Sequence, residues 1–461
     1  MTATERNVAE ALDVAALIER GGFGRFQLQI VLLCALVALL DGADTTSIAI
    51  AAAPISAKLA VPIGKLGVIF AASTLGAALG AMAFGPLADR FGRKRLLIAA
   101  TVLFGAFTLL TAHADTFASI TLYRLCAGVG LGGATPCFLA LVSEYVPSRL
   151  RSTVVTVLWA GFPLGIMLGG FSNSYLVATF GWESIFNVGG VLPMLLAIIL
   201  AFALPESLQF LIFRRNTASN VAAIVSHLVP GVTRIPATLT AASTQLASVP
   251  VKQLFTEGRA ASTLLLWVPF FTSFGVLAVV VFFTPTLLRS AGSPAAVSAG
   301  AIVNGFHGFG ALLGMAVAGR LLQRNGPVVT LSTGLLIGAV CTVLLGFSVS
   351  MIPLAALVTA MIGLFVGTAG AGSIAMAALI YPTAIRATGI GWGMGMGRAG
   401  QAVAPLIASW LLAEGNSEIM LLVMAAMLLA SSIAVFFLGR ATSQINFKQP
   451  LALAGSGSPS L

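Results

Sequence analysis

The segment GPLADRFGRKR, from Gly85 to Arg95, is a charged island between two apolar runs, and a shorter echo of it, GRLLQRNG, stands at Gly319 to Gly326. Gly85, Leu87, Arg90 and Gly92 recur as Gly319, Leu321, Arg324 and Gly326 at an offset of 234. A second pair repeats at an offset of 235, Pro147, Arg151 and Thr153 of PSRLRST reappearing as Pro382, Arg386 and Thr388 of PTAIRAT. Two independent matches at nearly one offset are the mark of a duplication. The chain therefore reads as two related halves.

Working outward, the islands are separated by long apolar stretches. Of the 461 residues 58% are hydrophobic and 8% charged, against roughly a quarter charged in soluble proteins; a soluble enzyme is excluded. A bilayer is crossed by about 20 apolar residues in a helix. Runs of that kind lie near 26–53, 66–87, 96–113, 116–140, 152–178, 184–204, 260–288, 295–319, 328–349, 353–379, 388–413 and 417–439. The first is too long for the core of a cleaved signal peptide and reads as a retained span. The expected fold is an all-α integral membrane protein of twelve transmembrane helices in two pseudo-symmetric six-helix halves. The expected divisions are a cytoplasmic N-terminal segment 1–25, a first bundle 26–204, a central cytoplasmic loop 205–259, a second bundle 260–439 and a cytoplasmic tail 440–461. The 50 glycines suit close helix contact in a membrane.

Charge orients the chain. Of the 24 basic residues, Lys58, Lys65 and Arg289 fall in loops on one side, Arg124 and Arg398 fall inside spans, and the rest lie on the other side. The positive-inside rule places that richer side, with both termini, in the cytoplasm. The net charge of +10 is thus topology and carries no continuous basic stripe for nucleic acid. The four cysteines, Cys34, Cys126, Cys137 and Cys341, form no CxxC pair and have no neighbouring histidine, so neither a zinc site nor a disulfide framework is implied. No metal, cofactor or enzymatic chemistry is expected. The GxGxxG-like strings at 128–133 and 391–397 lack a βαβ setting and read as packing.

GPLADRFGRKR resembles the loop signature between the second and third helices of the major facilitator superfamily, and Arg124 followed by GVGLGG is similar to its fourth-helix motif. DGADT (Asp41 to Thr45), SEYVPSRLRS (Ser143 to Ser152), PESLQFL (Pro205 to Leu211) and YPTAIRATGIGW (Tyr381 to Trp392) resemble the aromatic acid:proton symporters of that superfamily, the permeases for 4-hydroxybenzoate and protocatechuate among them. The resemblance implies a secondary active transporter of the bacterial inner membrane, acting as a monomer and importing a benzoate-type carboxylate with protons by alternating access. The competing readings are a facilitator-fold transporter of another organic anion and a drug:proton antiporter. Ile166 stands where antiporters carry proline after the central glycine of the Gly161, Gly165, Gly169 stripe, which favours symport. An intramembrane protease is disfavoured by the absence of a GxGD element. A signalling receptor would bind ligand without accumulating it.

Asp41 and Asp44 lie three apart in the first span, on one helical face. A carboxylate there needs water, a cation or a proton, and the DGxD resemblance also places functional aspartates here; both are expected to act in proton coupling, Asp44 also near substrate. Arg124 reads either as a coupling or structural arginine or as a substrate contact. Arg398, in GIGWGMGMGRAGQ and without a counterpart in the first half, is the expected anchor of the substrate carboxylate. Glu144, with Arg149 and Arg151, reads first as an interfacial charge network and second as a coupling residue. Gly85, Asp89, Arg90, Gly92 and Arg93 are expected to gate, in a short turn whose opposite charges latch neighbouring helices; Gln323 replaces the acidic residue in the second copy. His307 could relay a proton or touch substrate, Asn304 and Gln401 could bond a phenolic hydroxyl, and Trp392 could face an aromatic ring.

Overall fold

The computed structural model of the protein describes residues 18–19, 22–213, 251–290 and 296–448. Most of the N-terminal segment, residues 214–250 of the central loop and the tail beyond 448 lie outside the described residues, with Arg6, Arg20, Arg214, Arg215 and Arg234. Twelve long helices are described: α1 (Arg25–Lys58), α2 (Ile63–Phe91), α3 (Arg93–Ala112), α4 (Phe117–Tyr145), α5 (Ser148–Phe180), α6 (Glu183–Ala203), α7 (Ala260–Ser290), α8 (Ala296–Asn325), α9 (Pro327–Ser348), α10 (Ile352–Ile380), α11 (Thr383–Ala413) and α12 (Ser417–Lys448). A short helix, Leu208–Phe213, follows α6, and a 3₁₀ turn, Val251–Phe255, precedes α7. Among the described residues there is no strand.

The duplication is visible in the packing. In the first half α2 packs on α4, α1 on α5, α3 on α4 and α3 on α6; in the second the same pairs recur six helices later, α8 on α10, α7 on α11, α9 on α10 and α9 on α12. The repeated sequence motifs do the same structural work in both copies. Gly92 and Gly326 end the second helix of each half at φ +102° and +76°, a backbone region reserved for residues without a Cβ. Pro147 and Pro382 cap the fifth helix of each half at φ −52° and −54°, where a missing N–H costs nothing.

Eleven of the twelve long helices are long and apolar enough to cross a membrane. The exception is α11, expected above as an apolar span over 388–413: it is a helix of 31 residues, but Arg386, Arg398, Gln401 and its run of glycines dilute its hydropathy. A second correction concerns the charged island. Asp89 and Arg90 do not sit in a turn; α2 runs on to Phe91, and the turn is Gly92 alone. Helical hydrogen bonding continues past the apolar stretch until a residue that can reverse φ ends it.

The halves meet through α2 with α11 and through α5 with α8, pairs that the pseudo-symmetry exchanges. Among the described residues these contacts are confined to one end. On α11 the residues Gly391, Gly395, Arg398, Ala402, Pro405, Ser409 and Ala413 share one face at 100° per residue. A Cβ on Gly67 of α2 would meet the Pro405 carbonyl at 2.5 Å, and one on Gly64 would meet the Ala413 Cβ at 3.0 Å, whereas Gly391 and Gly395 have nothing within 4 Å. Gly85 lies five turns along α2 from Gly67, on the same face, and is likewise open. In the other pair Gly170 of α5 packs on Ala301 and Gly305, and Gly308 packs on Pro163 and Met167, while Gly319, five turns beyond Ala301, has open space. Phe70 of α2, in a stacked contact with Phe282 of α7 at 4.4 Å and edge-on to Phe283 at 5.3 Å, seals the closed end. Among the described residues, the cleft between the halves is therefore shut at the end carrying Lys58, Lys65 and Arg289 and open at the arginine-rich end.

Candidate functional site

Asp44 and Arg124 are 2% and 1% exposed. Charges that deep in a membrane bundle persist only when paired, and these two form a two-pronged ion pair, Arg124 Nη1 donating to Asp44 Oδ1 at 3.0 Å and Nη2 to Oδ2. The surroundings complete it. The Thr108 hydroxyl of α3 donates to Asp44 Oδ1 at 3.4 Å, Arg124 Nε donates to the Ser73 hydroxyl of α2 at 3.1 Å, and the guanidinium lies 5.9 Å from the centre of the Phe186 ring of α6. One ion pair thereby ties α1 to α4 and engages α2, α3 and α6 of the first half. The close approach of α1 to α5 that fixes Asp44 comes from glycine on both sides: Gly42 packs on the Phe162 backbone, and Gly161, Gly165 and Gly169 pack on Ala35, Leu39 and Ala43.

Asp41 is one turn away but partly exposed, and among the described residues no side chain donates a hydrogen bond to its carboxylate. Arg398, Asp44 and Arg124 all lie within coulombic range of it. Since Asp41 is on α1 and Arg398 on α11, the interaction of these two crosses between the halves. Arg398 itself makes no ion pair among the described residues; its Nη1 donates to Gln401 Oε1 at 3.2 Å. It is placed between the closed contact at Pro405 and Ser409 and the open face at Gly391 and Gly395, at the inner limit of the cleft. The four intramembrane charges thus divide into a bound pair, Asp44 with Arg124, and an unbound pair, Asp41 with Arg398. A guanidinium with no carboxylate partner, near a carboxylate that accepts no side-chain hydrogen bond, is suited to an anion that arrives with a proton.

The other expected site residues are placed elsewhere. His307 is 2% exposed and its Nδ1 lies 3.2 Å from the Thr359 carbonyl of α10, inside the second half. Asn304 commits its Nδ2 to the Val281 carbonyl of α7 at 2.9 Å. Trp392 lies on α11 one residue away from the Gly391 face and stacks on Trp267 of α7 at 6.1 Å between centroids. Gln401 alone among the polar candidates touches Arg398.

Glu144 is an ion-pair partner of Arg93, which also reaches Asp89 at 3.4 Å. Two residues that sequence reasoning left without a role complete this assembly. The Ser207 hydroxyl donates to Glu144 Oε2 at 2.6 Å, and Glu206 Oε1 accepts the Lys94 N–H at 2.9 Å, capping the N-terminus of α3, where a carboxylate opposes the helix dipole favourably. The Tyr145 hydroxyl, in turn, donates to the Glu206 carbonyl at 2.5 Å. PESLQFL is therefore a strap across the arginine-rich end of the first half. Its signal in the sequence was an acidic and a hydroxyl residue just ahead of an apolar run, the pattern of a helix start. Thr108 and Ser73 had no signal beyond being polar in an apolar span.

Gly92 is the tightest point of that strap: a Cβ there would lie 2.5 Å from Glu206 Oε2, on top of its positive φ. Gly92→Ala should destabilise the protein by roughly 1–3 kcal/mol for the backbone and more for the displaced cap. Gly326→Ala, with positive φ but nothing within 4 Å, should lose less. Melting temperatures of the two purified variants check this; equal losses would mean that the Glu206 contact contributes nothing.

Comparison with known proteins gives the same picture of the whole chain. The sequence profile described as Major Facilitator Superfamily matches residues 34–324 and 294–455. The chain is 34% identical over 412 residues to the 4-hydroxybenzoate transporter PcaK of Pseudomonas aeruginosa, covering 88% of this chain and 91% of that protein. To the gallate transporter of Pseudomonas putida it is 33% identical over 407 residues, covering 88% and 90%. Among solved structures, a bacterial homologue of the human lysosomal transporter Spinster, in an inward-facing and unoccupied conformation, superposes with a TM-score of 0.69 at 16% identity, over 92% of this chain and 99% of that one, which speaks to the fold alone.

Proposed function

The chain belongs to the major facilitator superfamily, and on that premise we propose that it imports a benzoate-type aromatic carboxylate together with protons by alternating access. The observation that carries this reading is the division of the intramembrane charges: Arg124 is occupied by Asp44, while Arg398 faces the cleft bound to Gln401 and without a carboxylate of its own, with Asp41 of the other half in coulombic range. The substrate carboxylate docks on Arg398, with Gln401 orienting the guanidinium. Asp41 competes for the same cation. A proton on Asp41 removes that competition, so that the substrate binds well only when the proton is present. This refines the coupling role expected of both aspartates: Asp41 carries the proton, and Asp44 holds Arg124.

The energetics favour such an arrangement. Bringing an anion into an inside-negative cell is opposed by about 2.3 kcal/mol per 100 mV; one proton cancels the charge, and a second makes the potential assist. The arginine-rich end, which the positive-inside rule assigns to the cytoplasm together with both termini, is the end at which the cleft is open. The conformation is then inward-open, as expected after release of cargo and proton to the interior. We place the protein in a bacterial inner membrane as a monomer, each molecule holding a complete cleft between its own halves.

The test is uptake of radiolabelled 4-hydroxybenzoate into proteoliposomes under an imposed inward proton gradient. Accumulation abolished by protonophore supports the proposal, and absence of uptake by folded protein overturns the substrate. Asp41→Asn should lose proton-driven accumulation while keeping exchange of labelled for unlabelled substrate, and should melt within about 2 °C of the parent, since no ion pair is lost. Protonophore-sensitive accumulation that persists in this variant would remove Asp41 from the coupling step.

A further inference from the structure

Pro285 lies one helical turn beyond Val281 in α7, and because proline has no N–H the Val281 carbonyl is left without its intrahelical donor. Asn304 of α8 supplies one, Nδ2 donating to that carbonyl at 2.9 Å. Asn304 is fully buried, and its Oδ1 has no hydrogen-bond partner. An amide with an unsatisfied oxygen is a poor choice for packing alone, since an apolar side chain of the same size would fill the space without that penalty. What Asn304 contributes is the single bond to Val281. One turn earlier on α8, Gly300 seats directly against Pro285, where a Cβ would lie 2.6 Å from the proline Cβ. The second helix of this half thus grips the first at both the proline and the carbonyl it frees.

The turn so gripped carries the seal of the closed end. Phe282 and Phe283, which follow Val281, are the two rings that press on Phe70 of the other half. The same stretch of α8 bears on the first half through Ala301, Gly305 and Gly308 against α5. Both sealing contacts, one through α7 and one through α8, are therefore linked at Asn304. We propose that Asn304 is a positioning residue of the outer gate, holding the proline-interrupted turn of α7 in the shape that presses Phe282 and Phe283 onto Phe70, and that it does not bind substrate. The proposal rests on the alternating-access reading, and it identifies the bond that favours the outwardly closed state.

The test uses the full chain in proteoliposomes with Cys34, Cys126, Cys137 and Cys341 replaced by serine. Ser409→Cys, on α11 and buried against Gly67 of α2 at the closed end, or Gly319→Cys, at the open end, serves as the reporter for an impermeant maleimide applied from the matching side. Asn304→Leu should raise alkylation at position 409 at least fivefold and lower it at position 319, because the equilibrium moves toward the outwardly open state; general loosening would raise both. Adding Pro285→Ala restores an N–H to Val281 and should bring both rates back to within twofold of the parent. Unchanged rates in Asn304→Leu, a rise at both positions, or no recovery with Pro285→Ala would overturn the proposal. If Asn304→Leu cannot be recovered from the membrane, recovery of the double variant supports the proposal, and failure of the double variant while Pro285→Ala alone is intact overturns it. No substrate enters this assay, so failure to transport 4-hydroxybenzoate and failure of the gate are read separately.

Discussion

Arg398→Ala is expected to reduce uptake of 4-hydroxybenzoate at sub-saturating concentration by about two orders of magnitude or more, without changing the amount of folded protein in the membrane. The size follows from the site. Truncating one partner of a desolvated, hydrogen-bonded charge pair costs roughly 2–5 kcal/mol, and each 1.4 kcal/mol is about tenfold. Folding should be spared because Arg398 is bound only to Gln401 and holds no buried carboxylate in place. Arg398→Lys keeps the charge but replaces a planar fork by a point charge, and should fall between, at about a tenfold loss. Initial uptake rates over a range of substrate concentration decide the matter. Arg398→Ala with uptake within threefold of the parent would show that the carboxylate is held elsewhere.

The second large effect is one of stability, and it separates two aspartates that look alike in the sequence. Asp44→Asn strands the Arg124 guanidinium in the interior of the first half, and breaking a buried pair by removing one partner costs roughly 3–5 kcal/mol. For a cooperative unit of 150–250 residues, the size of one half, a shift of about 2–4 °C per kcal/mol places the loss in melting temperature on the order of 10 °C. Arg124→Gln should do the same from the other side, stranding the carboxylate. The double variant Asp44→Asn, Arg124→Gln leaves two neutral amides of similar shape and should recover most of the lost stability. Melting of the four proteins in one detergent forms a complete cycle. Additive losses in the double variant would mean that the two side chains do not depend on each other, contrary to their geometry.

Asp41 and Asp44 show how far the sequence could lead. Three residues apart on one helix, they had to share a face, and their cost in a membrane marked both for partners. Which of them was already paired depended on α4 and α3, more than sixty residues away, whose Arg124 and Thr108 reach Asp44 alone. The same limit applied to Asn304, His307 and Trp392. Each is a polar or aromatic residue in an apolar span, as a ligand contact would be, but each is engaged by a neighbouring helix of its own half, Asn304 by the carbonyl that Pro285 leaves free. Glu144 was legible as a member of a charge network, although its partner proved to be Arg93 in place of Arg149 or Arg151.

What the sequence by itself determined is the architecture. Twelve helices, their order and their division into two halves follow from apolar runs of bilayer length and from the repeated GPLADRFG and PSRLRST elements, because hydropathy and backbone preferences are local properties: Gly92 and Gly326 allow the positive φ that ends a helix, and Pro147 and Pro382 suit a helix start. What only the tertiary structure decided is which of the four intramembrane charges are paired and the end at which the cleft is open. Electrostatic partnership at 3 Å and the meeting of glycine faces between α2 and α11, and between α5 and α8, depend on how helices distant in the chain are set against one another, and no spacing along the chain encodes that.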